Sequence, residues 1–292
     1  MTAETAMVVT RAVGGIEITG IVEFAGQFLF PEEMFPAATP DAIQPYRCWL
    51  EPAALCPESG RLNLTVQSFV LRTRHHTILV DPCVGNDKTL EIYPPWHKRR
   101  DFTWLNNLKA QGLTPEDIDV VMCTHLHIDH SGWNTSLIDG HWRPTFPKAR
   151  YLFSRRELAA AEALGGPTFE ENVLPILEAG LADLVDPDFA LDDEVSFEPT
   201  PGHTPGHVSV RLASGGACAV ISGDVMHSPL QCAEPEWGCV FDAMPEEADR
   251  TRRRFLERAC ADGTLVFANH FPLPSAGLIA AHGKGFRFCY RE

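Results

Sequence analysis

Cys123-Thr124-His125-Leu126-His127-Ile128-Asp129-His130, entered from Val120-Val121-Met122, is the stretch from which the rest of this chain is read. Its first part is apolar and β-branched, the composition of a buried strand. Its second part sets three imidazoles and a carboxylate within six residues. Alternate residues share a face where an extended chain begins to turn, so His125 and His127 address one point. Asp129 and His130 follow where the chain bends away, able to serve a neighbouring point. Neutral imidazole nitrogens and carboxylate oxygens are the donors a zinc-like ion prefers. One histidine at a strand end is an ordinary core or surface residue, so later residues must decide whether this run is a metal site.

Three later strand ends supply candidates. Thr200-Pro201-Gly202-His203-Thr204-Pro205-Gly206-His207 is a loop whose prolines and glycines fix the direction of His203. His207 begins the next strand and is read as structural, hydrogen-bonding the loop. Val220-Ile221-Ser222-Gly223-Asp224 ends an apolar strand in a carboxylate, and Val266-Phe267-Ala268-Asn269-His270 ends another in an imidazole. The residues then divide into His125, His127 and His203 for one ion, and Asp129, His130 and His270 for a second, with Asp224 between. Three protein ligands and a bridge leave room for a shared water, the arrangement of a catalytic site. A structural zinc site would be closed by cysteine, and none has suitable spacing. An enzyme is expected. Asp81, in Asp81-Pro82-Cys83-Val84-Gly85, is either a turn former or a partner for a metal-bound histidine.

Around these points the pattern predicts strands at Met7–Val13, Ile16–Phe24, Leu64–Arg72, Thr77–Asp81, Ala149–Phe153, Leu184–Val185, Val195–Pro199, Val208–Leu212, Ala217–Ser222 and Leu265–Ala268. Two short segments, Gly277–Ala281 and Gly285–Phe288, close the chain. Helices are expected at Trp104–Gln111, from Ser154 as cap through Ala163, at Glu170–Ala179 and at Pro245–Ala261, the last with Phe255, Leu256 and Ala259 on its apolar face. Gln27–Pro57, rich in proline and aromatics, reads as a loop: a flap near the site, a homodimer contact or an irregular surface cover. Strands then helix, repeated once, suggest two βα halves with helices outside, in a single domain over 1–292 with 1–61 as an N-terminal extension.

Composition narrows the class. The 292 residues are 45% hydrophobic and 22% charged, as in ordinary globular proteins. A formal net charge of −15 argues against nucleic acid as a partner. Lys98-Arg99-Arg100 and Arg252-Arg253-Arg254 are brief and are read as solvated faces. No signal peptide or membrane-spanning run is legible. Nine scattered cysteines without a Cys-x-x-Cys pair fit reduced thiols and a cytoplasmic location.

His125-x-His127-x-Asp129-His130, followed in order by His203, Asp224 and His270, resembles the metallo-β-lactamase superfamily of two-metal hydrolases, from about Leu62 to the C-terminus. The resemblance implies an α/β fold, a four-layer αββα sandwich with the metals in a cleft at one edge of two sheets. It implies two divalent ions, zinc first, with manganese, iron or cobalt as other occupants. β-Lactamases of this fold usually carry Cys or Ser where Asp224 stands, which disfavours antibiotic hydrolysis. Thr200–His207 and Gly223-Asp224-x-x-His227 look most like quorum-quenching lactonases and methyl-parathion-type hydrolases. The lactonases often have tyrosine at the position of His227. The implied reaction is hydrolysis of a small-molecule lactone or related carboxylic ester by a metal-bridging hydroxide. Asp129 would orient the nucleophile and pass on a proton, and His227 would either donate to the substrate oxygen or brace Asp224. Phosphotriester hydrolysis and a glyoxalase II-like thioesterase are the alternatives.

Overall fold

The computed structural model describes residues 8–291, so Met7 of the first expected strand lies outside the described residues. The chain divides into two compact units, Met1–Glu23 with Val66–Asp186, and Phe24–Thr65 with Pro187–Glu292. Among the described residues no helix is long and apolar enough to cross a membrane, and no disulfide is formed.

Among the described residues nine strands precede Pro187: β1 (Val8–Val13), β2 (Ile16–Gln27), β3 (Asn63–Arg72), β4 (Thr77–Val80), β5 (Val120–Met122), β6 (Thr135–Ile138), β7 (His141–Pro144), β8 (Arg150–Ser154) and β9 (Ala182–Val185). Seven make one sheet in the order β1-β2-β3-β4-β5-β8-β9. From β4 to β9 the pairing is parallel, with Val80 opposite Met122 and Met122 opposite Leu152. Strands paired in parallel and covered on both faces read as unbroken apolar runs, as Ile78-Leu79-Val80 and Val120-Val121-Met122 do. Parallel strands also finish at one edge. Asp81 and the Cys123–His130 run therefore leave the sheet side by side.

Helix Thr103–Ala110 buries Trp104 and Leu108, and the Trp104 ring stacks on Trp133 at 5.5 Å. The expected helix at Glu170–Ala179 is instead two, Pro167–Asn172 and Leu174–Glu178, since Pro175 lacks the N–H that an unbroken helix would need. Ser154 precedes helix Arg155–Leu164, but its hydroxyl makes no capping bond. The β6–β7 hairpin was not expected. Its signal is Asp139-Gly140, both at positive φ, the pair that a two-residue hairpin turn favours.

In the second unit the prolines of the supposed loop start helices rather than prevent them. Pro31 and Pro40 open Pro31–Met34 and Pro40–Ile43, where a fixed φ and a missing N–H cost nothing. With Arg47–Leu50, these turns bury Met34, Phe35, Ile43 and Leu50 in a cluster that also holds Leu55, Leu62, Leu230 and Cys239. The second sheet follows the order β10 (Val195–Pro199), β11 (Val208–Ser214), β12 (Ala217–Ile221), β13 (Leu265–Phe267), β14 (Ala276–His282) and β15 (Gly285–Tyr290). Only β12 and β13 are parallel, with Ile221 opposite Phe267, so Asp224 and His270 emerge from the same edge. β10 turns back into β11 at that edge through the His203 loop.

Helix Pro245–Asp262 buries Phe255, Leu256 and Ala259 in a cluster with Val220, Val266 and Phe288. Each such large side chain contributes about 1.5–3 kcal/mol by leaving water. Arg252, expected on a solvated face, is fully buried on this helix.

Candidate metal centre

The first unit carries His125, His127, Asp129 and His130 together. After β5 the chain turns at Cys123–Leu126 into a helical turn, Ile128–Ser131, with His127 at its N-cap. The His125 ring centroid lies 4.6 Å from that of His127 and 4.1 Å from that of His130. His125 and His130 are buried, whereas His127 and Asp129 are partly exposed.

Asp81 organises this group. Its backbone is left-handed, at φ 53°, a conformation whose cost must be offset by the surroundings. Here the carboxylate accepts the Thr124 N–H at 2.7 Å and the Thr124 hydroxyl at 2.9 Å, and pairs with His130 Nδ1 at 2.9 Å. An ionised carboxylate only accepts, so these partners assign the His130 proton to Nδ1 and leave Nε2 with its lone pair. That atom sits 3.8 Å from Asp129 Oδ2. Because the Thr124 hydroxyl donates to Asp81, its oxygen accepts from His125 Nδ1, 3.1 Å away. That leaves His125 Nε2 with its lone pair as well.

The loop after Asp81 is clamped to the segment after His130. Gly132 donates to Cys83 O and Trp133 to Pro82 O, both at 2.7 Å. Glu23 ties the same segments, accepting from Val84 N at 2.7 Å and Trp133 Nε1 at 2.9 Å. Burial pushes the Glu23 carboxyl up to about 7, against Arg99 and these donors.

The second unit carries His203, Asp224, His227 and His270, all buried. Asp224 is their centre. His203 Nε2 lies 3.3 Å and His227 Nε2 3.2 Å from its Oδ2, and His270 Nε2 lies 3.1 Å from its Oδ1. His203, Asp224 and His227 each offer a ligand atom within 4.8 Å of the others. Each imidazole is held from behind. His203 Nδ1 meets Asp242 Oδ1 at 3.0 Å, and His270 Nδ1 meets the Thr65 carbonyl at 2.9 Å. Gln231 Oε1 accepts the His227 N–H at 2.8 Å and lies 3.4 Å from its Nδ1. His207 serves the loop, as the sequence suggested: Nδ1 meets Thr200 and Nε2 accepts the Asp224 N–H at 2.9 Å.

The carboxylate of Asp242 and the carbonyl of Thr65 only accept, so His203 and His270 carry their protons on Nδ1. In the neutral form that a metal binds, their Nε2 atoms are bare and face the oxygens of Asp224, acceptor against acceptor. A cation between them converts that repulsion into coordination, and imidazole with carboxylate is a donor set suited to zinc. Histidines oriented through the far nitrogen by carboxylate or carbonyl are what metal ligation requires. The residues present fit a metal.

Asp242 is lowered to about 2: burial raises it, but the His203 hydrogen bond and the charges of His227, His203 and Arg252 outweigh burial. His227 is raised well above the ordinary histidine range, burial being outweighed by Cys239 and Asp224. Sequence reasoning missed Asp242, Gln231 and Glu23, because a lone acid or amide outside a motif carries no signal of its destination. Trp133 and Phe271 are core residues.

The family profile described as metallo-beta-lactamase superfamily matches residues 62–259. An N-acyl homoserine lactonase of Bacillus cereus is 28% identical over 242 residues, 77% of this chain and 89% of that protein. Another, from a Bacillus species, is 27% identical over 72% of this chain and 82% of its own length. Among solved structures, the hydrolase AbOPH of the β-lactamase superfamily superposes with a TM-score of 0.82 at 21% identity, covering 99% of both chains. AidC, a dizinc quorum-quenching lactonase, superposes at 0.78 and 20% identity, covering 98% of this chain and 97% of its own. At such identity these superpositions establish the fold alone.

Proposed function

The chain belongs to the metallo-β-lactamase superfamily, and on that premise we propose that it hydrolyses lactones or related carboxylic esters with two divalent ions, zinc foremost. His125, His127 and His203 would hold one ion and Asp129, His130 and His270 the other, with Asp224 serving both. The observation that carries this reading is Asp224, a buried carboxylate with imidazole Nε2 atoms at 3.1–3.3 Å on both oxygens. Its relatives' activity points the same way: the matching Bacillus proteins are named N-acyl homoserine lactonases.

Bound there, the ions supply Lewis-acid polarisation and a water acidic enough to react near neutral pH. The chain's own residues do the rest. Asp81, Asp242 and the Thr65 carbonyl hold His130, His203 and His270 in the tautomer that ligates. Asp129, partly exposed beside His130, accepts the proton of the attacking water and returns it to the leaving oxygen. His227, gripped by Gln231, presents Nε2 beside Asp224 and donates to the substrate oxygen.

The test is metal analysis of protein purified without chelator, then turnover of a panel of lactones, aryl esters, phosphotriesters and acylglutathione thioesters. Two ions per chain and lactone or ester turnover are expected. Protein that takes up no ion, or that turns over only thioesters or only phosphotriesters, would overturn the reading.

A further inference from the structure

Arg252 belongs to a basic run that the sequence places on a solvated face, yet its side chain is wholly buried. Burying a guanidinium is costly unless its donors are used, and here they are. Nε donates to Val225 O at 2.9 Å, just beyond Asp224. Nη1 donates to Pro235 O at 2.8 Å, to Asp249 Oδ1 at 2.9 Å and to Trp237 O at 3.4 Å. Nη2 donates to Asp242 Oδ2 at 3.1 Å.

Two of these contacts lead to the histidines around Asp224. Asp242 turns its other oxygen to His203 Nδ1 at 3.0 Å. The Trp237 carbonyl also receives Gln231 Nε2 at 3.0 Å, and Gln231 Oε1 holds the His227 N–H. The guanidinium thus reaches His203 through Asp242, His227 through Trp237 and Gln231, and the backbone next to Asp224 directly. A planar fork can hold these acceptors in fixed directions at once, which an ammonium cannot.

We propose that Arg252 is a positioning residue for metal binding, setting the direction of His203 through Asp242 and of the Asp224–His227 segment through Val225 and Trp237. This rests on the metal-dependent reading above. It requires Arg252 and Asp242 to act as one element, not as two independent supports.

The test is chelator competition for zinc on metal-stripped protein, for wild type, Arg252→Met, Arg252→Lys, Asp242→Asn and the Arg252→Met/Asp242→Asn pair. The absorption of the cobalt-loaded proteins reports ligand geometry alongside. Outer-shell changes of this kind weaken metal binding about 10–100-fold. Arg252→Met and Asp242→Asn should each do so for one ion and alter the cobalt spectrum, and the double variant should lose no more than the worse single. Arg258→Met, on the exposed side of the same helix and paired with Glu198, should bind as wild type. Wild-type affinity and spectrum in Arg252→Met, or losses that multiply in the double variant, would overturn the proposal. If Arg252→Met does not fold, Arg252→Lys decides. Weakened binding of one ion supports the role, and wild-type affinity with an unchanged spectrum sinks it. A wild-type protein that binds no zinc would instead remove the reading on which the proposal stands.

Discussion

Gly132→Ala is a one-carbon change with a large expected effect. Gly132 has φ −61°, ordinary for alanine, so backbone strain contributes nothing. The problem is space. A Cβ built there would stand 1.7 Å from the Val84 carbonyl oxygen and 2.1 Å from its carbon. Side-chain carbons keep at least 3.0 Å, so the Val84 and Gly132 segments must part by roughly 1.3 Å or more. Neither obstacle is a side-chain tip that can swing aside; both are backbone. Parting the segments stretches Gly132 N–H to Cys83 O and Trp133 N–H to Pro82 O, each 2.7 Å. A buried polar group left unsatisfied costs about 1–3 kcal/mol, and overpacking about 1–3 kcal/mol more. The expected loss is about 2–6 kcal/mol, a large part of the ~5–15 kcal/mol that holds a typical domain. Asp81 lies on the displaced loop and His130 two residues before Gly132, so their 2.9 Å contact should loosen too. Urea unfolding of the metal-free protein measures the first effect, and zinc affinity the second. A variant within 1 kcal/mol of wild type, with unchanged zinc affinity, would refute the reasoning.

Asp224→Ala should lose bound metal and activity together, read by metal analysis and turnover; full metal content would make the bridging assignment wrong. His227→Phe should retain metal with reduced kcat, and unchanged kinetics would leave that ring a packing role only. Lys88 is buried against Thr135 Oγ1 at 2.6 Å and the Trp142 ring at 3.7 Å, and burial pushes it down to about 7 despite Glu171 and Asp87. Unfolded lysine titrates near 10.4, so between about 7 and 10 the unfolded chain binds more protons and stability should rise with pH, by a few kcal/mol, while below 7 this contribution is flat. Denaturant unfolding across that range should show the slope in wild type and lose it in Lys88→Met. Phe255→Ala, in the core under the long helix, should cost about 3–5 kcal/mol in the same assay.

Sequence alone determined the candidate ligand residues and the edges from which they emerge. An apolar run that stops at His, Asp or Gly-Asp announces both a buried strand and the polar group at its end, and that information is contiguous. His125–His130, His203, Asp224 and His270 could all be named in this way. It also determined the apolar face of Pro245–Asp262, since helical periodicity is written into spacing. Local chemistry misled where its meaning depends on surroundings. Pro31 and Pro40 break chains in general and start helices here, because Met34, Phe35 and Ile43 had a core to enter. Asp81 was legible as two alternatives, and only the paired strands β4 and β5 bring it to Thr124 and His130.

What holds these side chains was decided by tertiary structure. Asp242 and Arg252 lie 39 and 49 residues beyond His203, with no motif between them. An acid or an arginine outside a pattern is most often solvated, and only folding brings donor to acceptor and removes the water. The type of chemistry is therefore local and readable, while the orientation that makes it work depends on contacts between distant segments.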